Sequence, residues 1–290
     1  MKGIVSLYEM VTPRSFAEAL ELKSKDGADI TPFAGGTDLM VLLEAGLLKP
    51  ARFLNLWPLA ELRSIIVSEE TVTIGALATY SQIARHDMIR KEFPNLACAA
   101  GLTGATAIQN RGTLGGNIAN ASPAADSPPA LLSYDASLVL ASGRGVRTIP
   151  YGSFHTNYKQ TLLKPDELIA AITLPRQTAG RLHHYIKVGT RRAQAISKVV
   201  FAGSATVENG KVHSVRLAYG SVAPVTLRLH AAEQALAGQP LTSSTIANAL
   251  TATRMALAPI DDIRSTAAFR LAVSVNVLRS CLEAWSEAGA

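Results

Sequence analysis

Apolar positions follow a helical period in some stretches of the chain and a strand-like period in others. Between Pro13 and Ser24, Phe16, Ala17, Ala19, Leu20 and Leu22 fall at roughly helical spacing, which predicts a helix capped by Thr12 or Ser15. Ile30 to Ala34 predicts a short apolar strand. After Gly35-Gly36 the pattern predicts a helix over Asp38 to Glu44, capped by Thr37, with Leu39, Met40, Leu42 and Leu43 inward and a stop near Gly46. Leu54-Asn55-Leu56 predicts the strand that closes a small βαβ unit. Val72 to Ala76 predicts a strand, Ser81 to Arg85 a helical segment, and Pro94 to Ala107 a tightly packed, alanine-rich helix. Ser137 to Ala141, Thr148 to Tyr151 and Glu167 to Pro175 predict further strands. His183 to Val188, Ser197 to Val207 and Val212 to Gly220 predict an antiparallel sheet, with Glu208-Asn209-Gly210-Lys211 as a hairpin turn. Leu229 to Ala237, Ser243 to Leu257 and Ala267 to Ala288 predict helices. Arg176 to Arg181 is polar, contains glycine and lacks apolar periodicity, so the domain boundary is expected there.

Composition sharpens this outline only modestly. With 290 residues, 48% of them hydrophobic and 17% charged, the chain can bury a sizeable core and has room for two domains. The net charge of +6 is mildly basic. The Lys and Arg residues are scattered without an aromatic-basic module, which argues against a nucleic-acid partner and leaves general surface charge or an anionic ligand. Cys98 and Cys281 lie far apart without Cys-x-x-Cys spacing, which excludes a zinc ribbon or a cysteine-held iron–sulfur cluster built by this chain alone. Two free thiols fit a reducing compartment. The opening run, Met1 to Glu9, is too short an apolar stretch for a signal peptide. No stretch reaches the ~18 uninterrupted apolar residues of a membrane span. A cytoplasmic protein is expected.

Two glycine pairs stand out chemically. Phe33-Ala34-Gly35-Gly36-Thr37-Asp38-Leu39 has a strand before it and a helix after it; Thr113-Leu114-Gly115-Gly116-Asn117 lies in a polar segment, Gln109 to Asp126, without bulky side chains. Glycine admits positive φ and close approach of a ligand to the main chain. Successive bare N–H groups form a nest for phosphate oxygens. Two such nests suggest one long ligand gripped from two sides, a dinucleotide being the candidate. Glycine pairs also make ordinary turns, and it is the polar context that favours binding. The Gly-x-Gly-x-x-Gly, P-loop and Gly-x-Ser-x-Gly patterns are absent. His183-His184 on a strand point to opposite faces and do not form a metal site. His155, Trp57 and Trp285 read as structural residues, and Arg191-Arg192 as either a surface pair or a contact to acidic groups.

The ordered set of motifs resembles the FAD-binding subunit of the molybdenum hydroxylases, the xanthine dehydrogenase and carbon monoxide dehydrogenase family, over essentially the whole chain. The segments are Tyr8…Pro13…Ala17-Glu18-Ala19-Leu20, Ala34 to Leu39, Thr113 to Asn117, Ser122 to Asp126, Pro165 to Ile169, Lys187 to Ala193 and Asp262-Ile263-Arg264. Arg144-Gly145-Val146-Arg147 followed by Gly152 to Thr156 looks nearest to bacterial xanthine dehydrogenases. The resemblance implies an α+β fold: a two-subdomain FAD-binding domain of the vanillyl-alcohol-oxidase (PCMH) type over 1–176, divided at about residue 58, then a smaller α+β C-terminal domain over 177–290. It implies that Thr31, Pro32, Phe33, Ala34, Gly35, Gly36, Thr37, Asp38 and Leu39 wrap the diphosphate, with Thr113, Leu114, Gly115, Gly116 and Asn117 on its other side. Asp126 would accept a hydrogen bond from a sugar or ribityl hydroxyl, Ile169 would lie on the adenine or flavin face, and Lys187 near the isoalloxazine oxygens. No catalytic side chain and no metal ligand is implied, because the isoalloxazine carries the redox chemistry. Partners implied are a large molybdenum-cofactor subunit and a small subunit with two [2Fe–2S] clusters, in a dimer of heterotrimers, with NAD⁺ or another molecule as electron acceptor. One position departs from the family pattern: Ala195 stands where relatives commonly carry aspartate. A non-catalytic nucleotide-binding or assembly protein on the same scaffold, and a carbon monoxide dehydrogenase-type medium subunit, are the alternatives.

Overall fold

The computed structural model describes residues 8–48, 52–176 and 180–288. The first strands, β1 (Glu9–Val11), β2 (Ile30–Phe33) and β3 (Arg52–Asn55), form a parallel sheet with β3 in the middle. Parallel neighbours require crossover connections; here they run through α1 (Phe16–Asp26) and α2 (Leu39–Glu44). Ser15, rather than Thr12, caps α1, its Oγ accepting from the Glu18 N–H at 3.2 Å. Ala19, Ile30, Leu54, Leu56 and Leu62 form the core of this layer. Burial of such side chains contributes about 1.5–3 kcal/mol each.

The middle of the chain contributes β4 (Ile65–Val67), β5 (Thr71–Gly75), β6 (Ser137–Ser142), β7 (Gly145–Pro150), a small hairpin of β8 (His155–Asn157) and β9 (Gln160–Thr161), and β10 (Leu168–Pro175). The main sheet is ordered β4-β5-β10-β6-β7 and is antiparallel throughout. Between β5 and β6 run α3 (Tyr80–Arg85), α4 (Asp87–Glu92), α5 (Pro94–Leu102), α6 (Thr106–Arg111), α7 (Leu114–Asn120) and α8 (Ser127–Ser133). The single helix expected over Pro94 to Ala107 is broken into α5 and α6 because Gly104 takes φ +60°, a left-handed value that ends a right-handed helix. The segment after Thr113 is a second correction. It is the helix α7 and not an open loop: the Thr113 side chain accepts from the Gly116 N–H and so caps it.

The last part pairs β11 (Arg181–Val188), β12 (Val199–Glu208), β13 (Lys211–Gly220) and β14 (Leu227–Arg228) in that order, antiparallel. The hairpin between β12 and β13 turns on Asn209 and Gly210, both at positive φ, as a right-handed strand twist requires. Helices α9 (His230–Leu236), α10 (Ser243–Ala256) and α11 (Ala267–Ala288) follow. Phe201, Tyr219, Leu278, Leu282 and Trp285 fill the core formed with this sheet. Buried Arg270 ties α11 back to the sheet by donating to the Ser221 carbonyl and to Asp262. The expected boundary segment falls partly on 177–179, and the opening run on 1–7, both outside the described residues.

Candidate functional site

The first glycine pair follows β2 directly, at the carboxyl end of the parallel sheet, where ligands of open parallel sheets bind. Gly36 has φ +74°, and a Cβ there would stand 2.6 Å from the Phe33 ring. Gly35 carries no side chain for a different reason: a Cβ would lie 1.7 Å from the main-chain oxygen of Arg111. That close approach fixes the loop against the end of α6. The main-chain N–H groups of Gly35, Gly36, Thr37, Asp38 and Leu39 donate to no group among the described residues. Gly36 is buried and Gly35 and Thr37 half-buried, a depth at which amides are ordinarily paired. Asp38 is exposed, and the Leu39 amide is one of those every helix start leaves open. Successive unpaired donors of this kind are available to an anion. Thr37 does not cap α2. Asp38 takes that position in helical geometry, makes no capping bond, and accepts instead from Asn120 Nδ2 on α7 at 3.3 Å.

The second pair lies beside the first but works differently. The Leu114 and Gly115 N–H groups donate to the carbonyls of Ala78 and Ala76, at 3.1 and 2.9 Å, and those of Gly116 and Asn117 are held by Thr113. The sequence reading of a second bare nest is therefore corrected, because these amides already have acceptors. Gly115 is glycine to let α7 lie on Ala76, where a Cβ would meet that residue's Cβ at 2.6 Å. Gly116 is exposed; a Cβ there would stand 2.8 Å from the capping Thr113 Oγ1, with Ala34 of the first loop next at 4.0 Å. What α7 can offer a ligand is the Asn117 side chain. Its Oδ1 accepts from Ser127 at 2.7 Å, while its NH₂ donates to no group among the described residues.

Ser127 leads to a buried ion pair. Its neighbour Asp126 is 7% exposed. The Asp126 carboxylate accepts from Lys187 Nζ and Ser197 Oγ, both at 2.6 Å, and Lys187 also donates to the Leu102 carbonyl at 2.9 Å. Burial pushes the Asp126 carboxyl above the ordinary carboxylate range, and the Lys187 ammonium pulls against that shift. Asp126 and Lys187 thus face one another, a pairing that sequence spacing could not reveal. Ile169 sits at a β-bulge in β10, beside the Ala170 carbonyl that holds the Ala76 N–H. The structure accordingly brings Ala34 to Asp38, Thr113 to Asn117, Asp126, Ile169 and Lys187 into one connected network. Thr31, Pro32 and Phe33 belong to the sheet that supports it, with the Phe33 ring edge-on to Phe53 at 5.8 Å.

Other residues singled out by sequence fall into place structurally. His183 Nδ1 lies 3.0 Å from the Tyr134 hydroxyl, whereas His184 turns to the other face against Phe201. Burial, then the nearby Arg181 charge, lowers His183 to about 4. Among the described residues no group of His, Cys, Asp and Glu could hold a metal, and no helix is long and apolar enough to cross a membrane. Trp57, read as a packing residue, carries the guanidinium groups of Arg63 and Arg111 over its indole ring, at 3.9 and 3.8 Å from the ring centroid. Sequence reasoning missed that arrangement because Arg111 reaches the Trp57–Arg63 segment from a distant part of the chain. A cleft of about 350 Å³ elsewhere, lined by Asp135, Thr226, Arg228 and His230, has its one carboxylate engaged by Arg216 and Arg228.

An α+β scaffold that presents unpaired amides at the end of a parallel sheet, closed by a helix from an antiparallel one, defines a nucleotide-cofactor protein. Comparison with known proteins makes this specific. Residues 6–177 match the FAD binding domain in molybdopterin dehydrogenase, and residues 184–285 the CO dehydrogenase flavoprotein C-terminal domain. The chain belongs to this family, the flavoprotein subunits of the molybdenum hydroxylases. It is 33% identical to the xanthine dehydrogenase FAD-binding subunit of Escherichia coli O157:H7, over 89% of this chain and 88% of that one. It is 29% identical to the carbon monoxide dehydrogenase medium chain of Hydrogenophaga pseudoflava, over 96% of each. The crystallised carbon monoxide dehydrogenase of Hydrogenophaga pseudoflava, in a form lacking the Mo-pyranopterin moiety, superimposes with a TM-score of 0.91 at 30% identity, covering 95% of this chain and 96% of that one.

Proposed function

We propose that this chain holds FAD within a multi-subunit molybdenum hydroxylase and relays electrons from the [2Fe–2S] clusters of a small subunit to NAD⁺ or another acceptor. A large subunit with the molybdenum cofactor would carry out substrate hydroxylation, in a cytoplasmic dimer of heterotrimers. The observation that carries the reading is the run of unpaired N–H groups from Gly35 to Leu39. It fits the two negative phosphates of a dinucleotide, and no group among the described residues accepts from it. When bound, the isoalloxazine supplies reversible uptake and release of electrons.

The chain's own residues bind and position. In this reading Gly35 to Leu39 donate to the diphosphate, while Gly116 leaves room for it and the Asn117 amide donates from the α7 side. Lys187 uses two of its three N–H donors on Asp126 and Leu102; the third remains for a carbonyl oxygen of the ring. A cation there favours negative charge on the reduced ring. Asp126 locks that ammonium in place and keeps lone pairs for a ribityl hydroxyl, and Ile169 supplies an apolar contact face. The division of the chain at about residue 176 belongs to the same proposal. The names of relatives span xanthine, carbon monoxide and nicotinate dehydrogenases, so the substrate is set by the large subunit, and a carbon monoxide dehydrogenase-type role fits the same scaffold. The test is the purified complex under anaerobic conditions. Adding the hydroxylatable substrate should bleach the flavin absorbance, and adding the acceptor should restore it. A flavin that binds but is never reduced by substrate would leave the chain a nucleotide-binding assembly protein and overturn the relay.

A further inference from the structure

The anion nest has an imbalance of charge that the amides alone do not resolve. The formal charge on the loop itself is the Asp38 carboxylate, of the wrong sign for a diphosphate. The cation whose backbone touches the loop is Arg111, its main-chain oxygen filling the space where Gly35 lacks a Cβ. The Arg111 side chain lies over one face of Trp57 and that of Arg63 over the indole as well, at 3.8 and 3.9 Å. Trp57 comes from the segment just after β3, so the stack stands at the same carboxyl end of the parallel sheet as the nest.

The two guanidinium groups are not equivalent. Arg63 spends its edge donors on the carbonyls of Trp57 and Leu77, and burial together with the Arg111 charge lowers its pKa. Arg111 is exposed, and among the described residues its guanidinium has neither a carboxylate partner nor a hydrogen-bond acceptor. Stacking engages the face of a guanidinium and leaves its edge N–H groups free for a bidentate acceptor. Holding two like charges against one indole is unfavourable until an anion arrives.

We propose that Arg111, preoriented by the Trp57–Arg63 stack, is a cofactor-binding residue that supplies the cationic contact to the diphosphate. This rests on the assignment of the Gly35–Leu39 loop as the diphosphate site. Arg63 is the anchor and Arg111 the ligand contact.

The experiment is equilibrium titration of the flavin-free full chain with FAD, ADP and riboflavin, at low and high salt, for the wild type, Arg111→Met and Arg111→Lys. Methionine keeps an apolar stem against Trp57 and removes the donors. The expected result is an FAD and an ADP affinity about tenfold weaker in Arg111→Met, as losing a charge-assisted hydrogen bond predicts. Riboflavin binding should be unchanged, salt sensitivity should be flatter, Arg111→Lys should recover part of the loss, and the flavin-free variants should melt as the wild type does. Unchanged FAD affinity in Arg111→Met, or equal losses for FAD and riboflavin, would overturn the role of Arg111 while leaving the loop assignment standing. A wild-type chain that takes up neither FAD nor ADP would overturn both.

Discussion

Glycines in this site perform two distinct tasks, and substitutions separate them. Gly36 is needed for its φ of +74° and for the Phe33 ring beside it. A β-branched residue there is strained by about 1–3 kcal/mol on conformation alone and crowds the bend. Gly36→Val should therefore bind FAD far more weakly than wild type, read as flavin per chain after purification. Wild-type flavin content in that variant would remove the diphosphate from this loop. Gly115, by contrast, is a packing glycine: its amide is already engaged by Ala76. Lys187 is the other decisive residue. Its removal leaves Asp126 buried without its counter-charge, and breaking a buried pair on one side costs about 3–5 kcal/mol. Lys187→Met should unfold at markedly lower denaturant concentration, and adding Asp126→Asn should restore much of the loss. A melting curve for Lys187→Met like that of the wild type would show that the pair does not support the fold.

At the scale of elements, the site depends on α7 being pinned at its first turn. Thr113 Oγ1 accepts from the Gly116 N–H, while Leu114 and Gly115 hang from the segment after β5. Thr113→Ala removes the cap and should cost about 1 kcal/mol, within a range of roughly 0.5–2, with a weaker flavin affinity because α7 faces the first loop. No change in thermal midpoint or affinity would mean that the strand contacts alone seat the helix. Most elements were readable from apolar periodicity, since helices such as α10 and α11 and strands such as β12 bury one face or both along their length. The α7 helix was hidden because glycine, asparagine and threonine disfavour helix on their own; its backbone contacts with Ala76 and Ala78 impose it. The bend with unpaired amides was legible from Gly35-Gly36 between a strand and a helix. The Asp126–Lys187 pair and the arrival of Arg111 on the neighbouring Trp57 and Arg63 were not, because each brings in a residue distant in sequence that only the folded chain places there.

At the scale of the whole molecule, the chain leaving the five-stranded antiparallel sheet is clamped by an ion pair between the end of α4 and the residue just after β10. Arg176 donates to both carboxylate oxygens of Glu92, at 2.8 and 2.7 Å, and to the Ser68 carbonyl. That fork holds the Glu92 carboxyl below its ordinary value of 4.5. A carboxyl depressed on folding stabilises the native state above its unfolded value, and the contribution disappears as pH falls through the native value. Wild type should lose stability on acidification below about pH 4.5 more steeply than Glu92→Gln, measured as denaturant midpoint against pH. Parallel acid limbs would remove Glu92 from that account.

The central claim is that the unpaired amides of Gly35 to Leu39 receive the diphosphate of FAD. A crystal structure of the flavin-loaded chain tests it most directly. The diphosphate oxygens should lie within hydrogen-bonding distance of those N–H groups, with one FAD per chain. A diphosphate bound anywhere else, such as the cleft beside Asp135 and Arg228, with the loop amides still free, would contradict it.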